Sequence, residues 1–110
     1  MKLPRGEHAL IDHQKLTSYS LDAGHDEGRH KAHLFQSLLG IDLGNVEILF
    51  QALENIAVEG EIELGKLDQY GQRYINDFDF IGPGGKARIR SVWIIRHDED
   101  FPRLVTCYIL

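Results

Sequence analysis

The sequence predicts an α+β domain with about three N-terminal helices packed on a three- to four-stranded antiparallel C-terminal sheet. Two observations carry that expectation. As far as residue 58, apolar residues recur at helical spacing, as in Val46, Leu49, Phe50, Leu53 and Ala57. From residue 61 they alternate along short runs separated by turn residues. The chain has 110 residues, 43% of them hydrophobic and 26% charged. That suits a single domain with one core over residues 1–110.

Each element has its own signal. Asp12 can cap a first helix over Leu10 to Tyr19, with Leu16 and Tyr19 at helical spacing. Gly24 to Gly28 forms a polar loop, and Arg29 to Leu39 becomes a second helix with Leu34, Phe35, Leu38 and Leu39 on one stripe, stopped by Gly40. Asn45 to Val58 is the third, its outer side carrying Glu47, Gln51, Glu54 and Asn55. Ile62 and Leu64 suggest a brief strand before the turn at Asp68-Gln69-Tyr70-Gly71. Gln72 to Ile81 alternates Tyr74, Phe78 and Phe80 against Arg73, Asp77 and Asp79.

Gly82-Pro83-Gly84-Gly85 is the strongest turn signal and reads as a hairpin loop. No Lys-Ser/Thr follows it, so a phosphate-binding glycine loop is disfavoured. Lys86 to Arg96 then sets Ala87, Ile89, Ser91, Trp93 and Ile95 against Arg88, Arg90, Val92, Ile94 and Arg96. In the last strand, alternation groups Leu104 with Thr106, Tyr108 and Leu110.

The net charge is −5, which argues against a binder that neutralises many phosphates. Its distribution is uneven, because residues 34–70 carry one Lys/Arg against seven Asp/Glu. Cys107 is the only cysteine, so no internal disulfide forms and an oxidising compartment is not implied. Residues 1–9 contain no signal-like apolar run. The expectation is a cytoplasmic protein without a membrane segment.

Residues with chemical potential gather in two places. Arg29-His30-Lys31-Ala32-His33 opens the second helix, where imidazole, ammonium and guanidinium groups beside backbone N–H groups suit a phosphate. A basic helix start that caps and packs locally explains the same residues. His25, His30 and His33 with Asp26 and Glu27 raise the question of a metal, but no HExxH or paired-cysteine spacing supports one. On the strands, Arg90, Ser91, Arg96, Thr106 and Tyr108 are polar positions in an apolar hairpin. If the faces of Ser91-Trp93 and Thr106-Tyr108 coincide, hydroxyls and an aromatic platform meet there, fit for a nucleotide. No Gly-x-Ser-x-Gly is present, against serine-hydrolase chemistry.

Gly28 to Phe35, Asp68 to Tyr74, Gly82 to Gly85, Arg90 to Ile95 and Phe101 to Tyr108 together resemble a bacterial domain family of uncharacterised activity. Its members occur alone or at the C-terminal ends of larger toxin-like proteins. That family is in turn distantly similar to the barnase, EndoU, colicin D and RelE group of metal-independent ribonucleases. The resemblance implies helices followed by an antiparallel sheet, RNA as substrate, a cyclic phosphate product, and a small antitoxin-like or immunity partner. It implies His30 as general acid or base, with Lys31, Arg29, Arg90 and Arg96 on phosphate. Ser91, Thr106 and Tyr108 would position phosphate or leaving group, and no metal or cofactor would take part. A non-enzymatic interaction or assembly domain, using the acidic third helix, is the alternative.

Overall fold

The computed structural model describes residues 1–15 and 28–110, with Lys15 and residues 28–30 described as backbone only. Of the first helix expected over Leu10 to Tyr19, Leu10 instead bridges to Arg103, residues 11–12 are not helical, His13–Lys15 forms a single turn, and residues 16–19 lie outside the described residues. Helix α1 spans Gly28–Leu34 and widens into a π-helical turn over Phe35–Leu39. Ser37 Oγ donates to the His33 carbonyl oxygen at 2.7 Å where that widening occurs. Gly40 ends the helix in the left-handed conformation, φ 68°, with its N–H on the Gln36 carbonyl oxygen.

Helix α2 spans Glu47–Glu59. It begins later than periodicity suggests because Asn45 is used in the preceding turn. Its Oδ1 accepts from the Asp42 N–H, and its Nδ2 donates to the Gly40 carbonyl oxygen. The description of about three N-terminal helices therefore needs correction. Among the described residues there are two helices longer than a turn, and they sit in the middle of the chain, after an N-terminal stretch that holds a 3-10 turn at Gly6–His8.

Strands β1 (Glu63–Leu67), β2 (Gly71–Gly82), β3 (Gly85–Arg96) and β4 (Arg103–Ile109) form one antiparallel sheet in sequential order. The inner face takes Tyr74, Phe78 and Phe80 from β2, and Ile89 and Trp93 from β3. Against them pack Phe35 and Leu39 from the π-helical end of α1, and Leu49, Phe50, Leu53 and Ala57 from α2. Burial of these side chains is the main source of stability, at about 25 cal/mol per Å² of apolar surface.

A register shift in β4 alters which residues share a face. Val92 pairs with Thr106 but Trp93 pairs with Leu104, leaving Val105 as an extra residue. Leu104 is consequently buried on the inner side with Cys107, while Thr106 and Tyr108 point to the other face. Strict alternation would have grouped Leu104 with the hydroxyls, and the bulge overrides it.

The hairpin glycines serve packing. Gly82 pairs with Gly85 across the two-residue turn Pro83-Gly84, and the Gly84 N–H donates to the Leu39 carbonyl oxygen at 3.0 Å. A Cβ on Gly82 would stand against that same carbonyl oxygen. The loop is bare so that it can touch the end of α1. Gly82→Ala is expected to cost about 1–3 kcal/mol, read as a lower urea midpoint at unchanged slope, and an unaltered midpoint would contradict this packing.

Candidate functional site

The face of the sheet opposite the core is built in rungs. Asp77, Arg90 and Tyr108 form one, Ile75, Val92 and Thr106 the next, and Arg73, Ile94 and Arg103 the third. Neighbouring rungs are two residues apart on β2 and β3, about 7 Å along the strands, and on β4 the bulge makes the last step, Thr106 to Arg103, three residues. Three outward positions on three strands thus bring sequence-distant polar groups into a row.

Helix α1 reaches this row at the β4 edge. Lys31 Nζ donates to Thr106 Oγ1 at 3.1 Å and lies 5.7 Å from the centre of the Tyr108 ring. Ala32, next in the chain, is buried, so the helix turns its apolar side inward and passes the lysine over the strand. Arg90 Nε and Nη2 donate to the two Asp77 carboxylate oxygens at 2.7 and 2.9 Å. The Asp77 carboxylate, with the Tyr108 phenol as a second partner, holds the Arg90 guanidinium above its ordinary pKa. Asp77 in turn lies below the usual carboxylate range because Arg90 hydrogen-bonds to it.

Lys31, Thr106, Tyr108 and Arg90 therefore occupy one half-buried surface. Thr106 Oγ1 accepts from Lys31, which leaves its own proton to donate. Ammonium, guanidinium and two hydroxyls are all donors; the Asp77 carboxylate offsets the charge of Arg90, so the ammonium of Lys31 leaves the set with one net positive charge, which suits an anionic oxygen.

Ser91 does not join them. It is fully buried on the inner face, where its Oγ accepts from Trp93 Nε1 at 3.0 Å and donates to the Asn76 carbonyl oxygen at 3.2 Å. The whole sheet separates it from Thr106 and Tyr108, so the two faces imagined as coincident are opposite ones. Trp93, at 0% exposure, is a core residue and no stacking platform. Arg29 and His30 lie in the first turn of α1, with side chains outside the described residues. His25, Asp26 and Glu27 are also outside them, and among the described residues no three His, Cys, Asp or Glu side chains are grouped to hold a metal. Burial pushes the Cys107 thiol up to about 12, so it is inert.

A second arrangement, unanticipated from sequence, lies one rung further along. Asp68 organises it. Its Oδ1 accepts from the Tyr70 N–H at 2.9 Å, its Oδ2 accepts from Arg73 Nη1, and its carbonyl oxygen is 2.7 Å from His97 Nε2. The Tyr70 amide, followed by Arg73, keeps this carboxyl below its ordinary pKa. Opposite, Glu99 takes both ends of Arg103 at 2.8 and 2.6 Å and is lowered by it. The β1–β2 turn and the β3–β4 loop lie at the same end of a four-stranded meander. That topological rule is the signal that could have paired Tyr70 with His97.

The described fold defines a class of protein: an α+β domain in which two helices cover one side of an antiparallel meander and the other side carries a cluster of donors. The chain belongs to the family described as "Domain of unknown function (DUF6883)", whose profile matches residues 2–110. No curated protein matches it. Among solved structures it is similar to a chain of a "Contact-dependent growth inhibition toxin - immunity protein complex from Klebsiella pneumoniae 342". That likeness has a TM-score of 0.64 at 20% identity, covering 92% of this chain and 99% of the other. Among the described residues no helix is long and apolar enough to cross a membrane.

The ion pairs give a pH signature with a definite sign. Asp77 is depressed in the fold, so its contribution to stability is present above its unfolded value of about 4 and is lost as pH falls through the folded value. Asp77→Asn should lower the urea midpoint at pH 7, and the gap from the unmutated protein should close as pH drops below about 4. A gap of constant size down to acid pH would show that the Arg90 pair does not titrate as described.

Proposed function

We propose that this chain is a metal-independent endoribonuclease domain of toxin type, cleaving RNA through attack of a ribose 2′-hydroxyl on the adjacent phosphate. The observation that carries the reading is the meeting of Lys31, Thr106, Tyr108 and Arg90 on one face. Such cleavage forms a bond from the 2′-oxygen to phosphorus and breaks the bond to the 5′-oxygen. The products are a 2′,3′-cyclic phosphate and a free 5′-hydroxyl. Negative charge grows on the phosphoryl oxygens in the transition state, where preorganised donors are most effective.

Lys31 and Arg90 are assigned to that charge, and Thr106 and Tyr108 to hydrogen bonds on the phosphate or the leaving 5′-oxygen. The 2′-hydroxyl must lose a proton and the leaving oxygen must gain one. His30 precedes Lys31 in α1 and is assigned one of these transfers, since an imidazole titrates near neutrality. Arg29 and Arg96 are assigned to the flanking nucleotides. Ser91 has no role in this scheme. The net charge of −5 fits contact with a few nucleotides better than with a long polyanion.

The likeness to one chain of a toxin–immunity complex supports a place in a toxin system and fits the toxin or the immunity side equally; on the toxin reading, a small immunity protein is the expected partner. One observation favours a second reading, a non-enzymatic interaction domain. The outward side of α2 presents Glu47 and Glu54 beside exposed Ile48 and Val58, a mixture that suits a protein partner as well as solvent.

Total RNA incubated with the purified protein in EDTA should yield fragments ending in 2′,3′-cyclic phosphate. Lys31→Ala, His30→Ala and Tyr108→Phe should each slow cleavage by about 10²- to 10⁴-fold, whereas Ser91→Ala should cleave normally wherever it remains folded. RNA left intact across tRNA, rRNA and mRNA substrates would refute the nuclease and leave the interaction domain standing.

A further inference from the structure

Beyond the donor cluster, the outward face opens into a groove of about 710 Å³ between the β1–β2 turn, the β3–β4 loop and the N-terminal segment. That volume lies within the range of small-molecule sites, about 300–1,000 Å³. The N-terminal segment closes its side, because Leu10 bridges to β4, donating from its N–H to the Pro102 carbonyl oxygen and accepting from the Leu104 N–H, each at 2.9 Å. We infer that this groove is a recognition subsite for one unpaired nucleobase, placed beside the phosphate held by Lys31 and Thr106. The inference rests on the nuclease reading for its neighbour, and on the groove itself for its chemistry.

Three features point to a base and away from a second phosphate. The first is charge. Arg73 and Arg103 both line the groove, yet each is already bound to a carboxylate, Asp68 and Glu99 respectively. Arg96 stands 4.0 Å from that same Glu99 and is 53% exposed, while Asp12 and Asp98 also line the wall. Cations and carboxylates are so interleaved that a polyanion gains little there. A neutral ring whose edge carries both donors and acceptors can use either kind of group.

The second is shape. Ile94 and Val105 contribute an apolar surface, and Tyr70 stands at the rim, 61% exposed. An exposed aromatic ring over an apolar floor is what an unstacked base requires. The backbone that carries Tyr70 is fixed. Its N–H is held by Asp68, and its carbonyl oxygen accepts from the His97 N–H at 3.4 Å. His97 Nε2 lies 2.7 Å from the Asp68 carbonyl oxygen, to which it donates.

The third is spacing. Val105 lines the groove and is the residue before Thr106, and Ile94 is two residues from Val92, the partner of Thr106. The groove therefore begins about one rung, roughly 7 Å, from the Lys31–Thr106 contact. A nucleotide with its phosphate on Thr106 can lay its own base in the groove.

The test uses ¹⁵N-labelled full chain titrated separately with the four nucleoside 3′-monophosphates, ribose 5-phosphate and inorganic phosphate. Nucleotides should shift the amides of Tyr70, His97 and Val105, and the two base-free phosphates should leave Tyr70 and His97 in place. Tyr70→Ala, an exposed position, should weaken nucleotide binding about tenfold or more without altering the response to inorganic phosphate. Shifts confined to Thr106 and Tyr108 with every probe would overturn the base subsite and leave the nuclease proposal intact. Nucleotide shifts in the groove together with uncut RNA would uphold the subsite and remove the nuclease.

Discussion

The extra residue in β4 is the constraint on which the functional face depends. Side chains on a strand alternate, so an uninterrupted β4 paired from Ile109 would place Leu104 outward with Thr106 and Tyr108. Inserting Val105 between the Val92–Thr106 and Trp93–Leu104 pairs lets Leu104 enter the core beside Trp93. The same step leaves Thr106 and Tyr108 facing outward, where Lys31 meets them. One unpaired residue thus satisfies the core and delivers the hydroxyls, in keeping with the frequent position of bulges beside sites.

The two faces of the sheet divide polar groups by consequence. Inside, Ser91 and the Asn76 side chain are buried, and nearly all their capacity is spent: Trp93 Nε1 on Ser91 Oγ, Ser91 Oγ on the Asn76 carbonyl oxygen, Asn76 Nδ2 on the Glu61 carbonyl oxygen. These bonds satisfy a tryptophan N–H that would otherwise be stranded in the core. Outside, Arg90, Arg73 and Arg103 are each fixed by a carboxylate. Their positions are settled before any ligand arrives, which lowers the ordering cost of binding. Lys31 is held by a neutral hydroxyl and a ring face.

Much of the architecture was legible along the chain. The stripe through Val46, Leu49, Phe50, Leu53 and Ala57 announced α2, and alternation announced β2 and β3 with their inner and outer residues in the right groups. Gly40 and the Pro83-Gly84 turn were legible because glycine and proline act through their own backbone. Arg90, Thr106 and Tyr108 were recognisable as polar residues in an apolar hairpin, and Lys31 as part of a basic helix start. Ser91 was misplaced because a hydroxyl reads alike whether it feeds a buried indole or faces water. The groove around Tyr70, Arg73 and His97 was missed because its members come from separate turns.

The sequence by itself determined the second and third expected helices and the antiparallel strands that follow them, since helix and strand periodicities are properties of near neighbours. Only the tertiary structure decided which polar groups share a surface. Register across β3 and β4, and the path of α1 over the β4 edge, are choices made by the free energy of the whole packed sheet, and no local window of residues contains that sum.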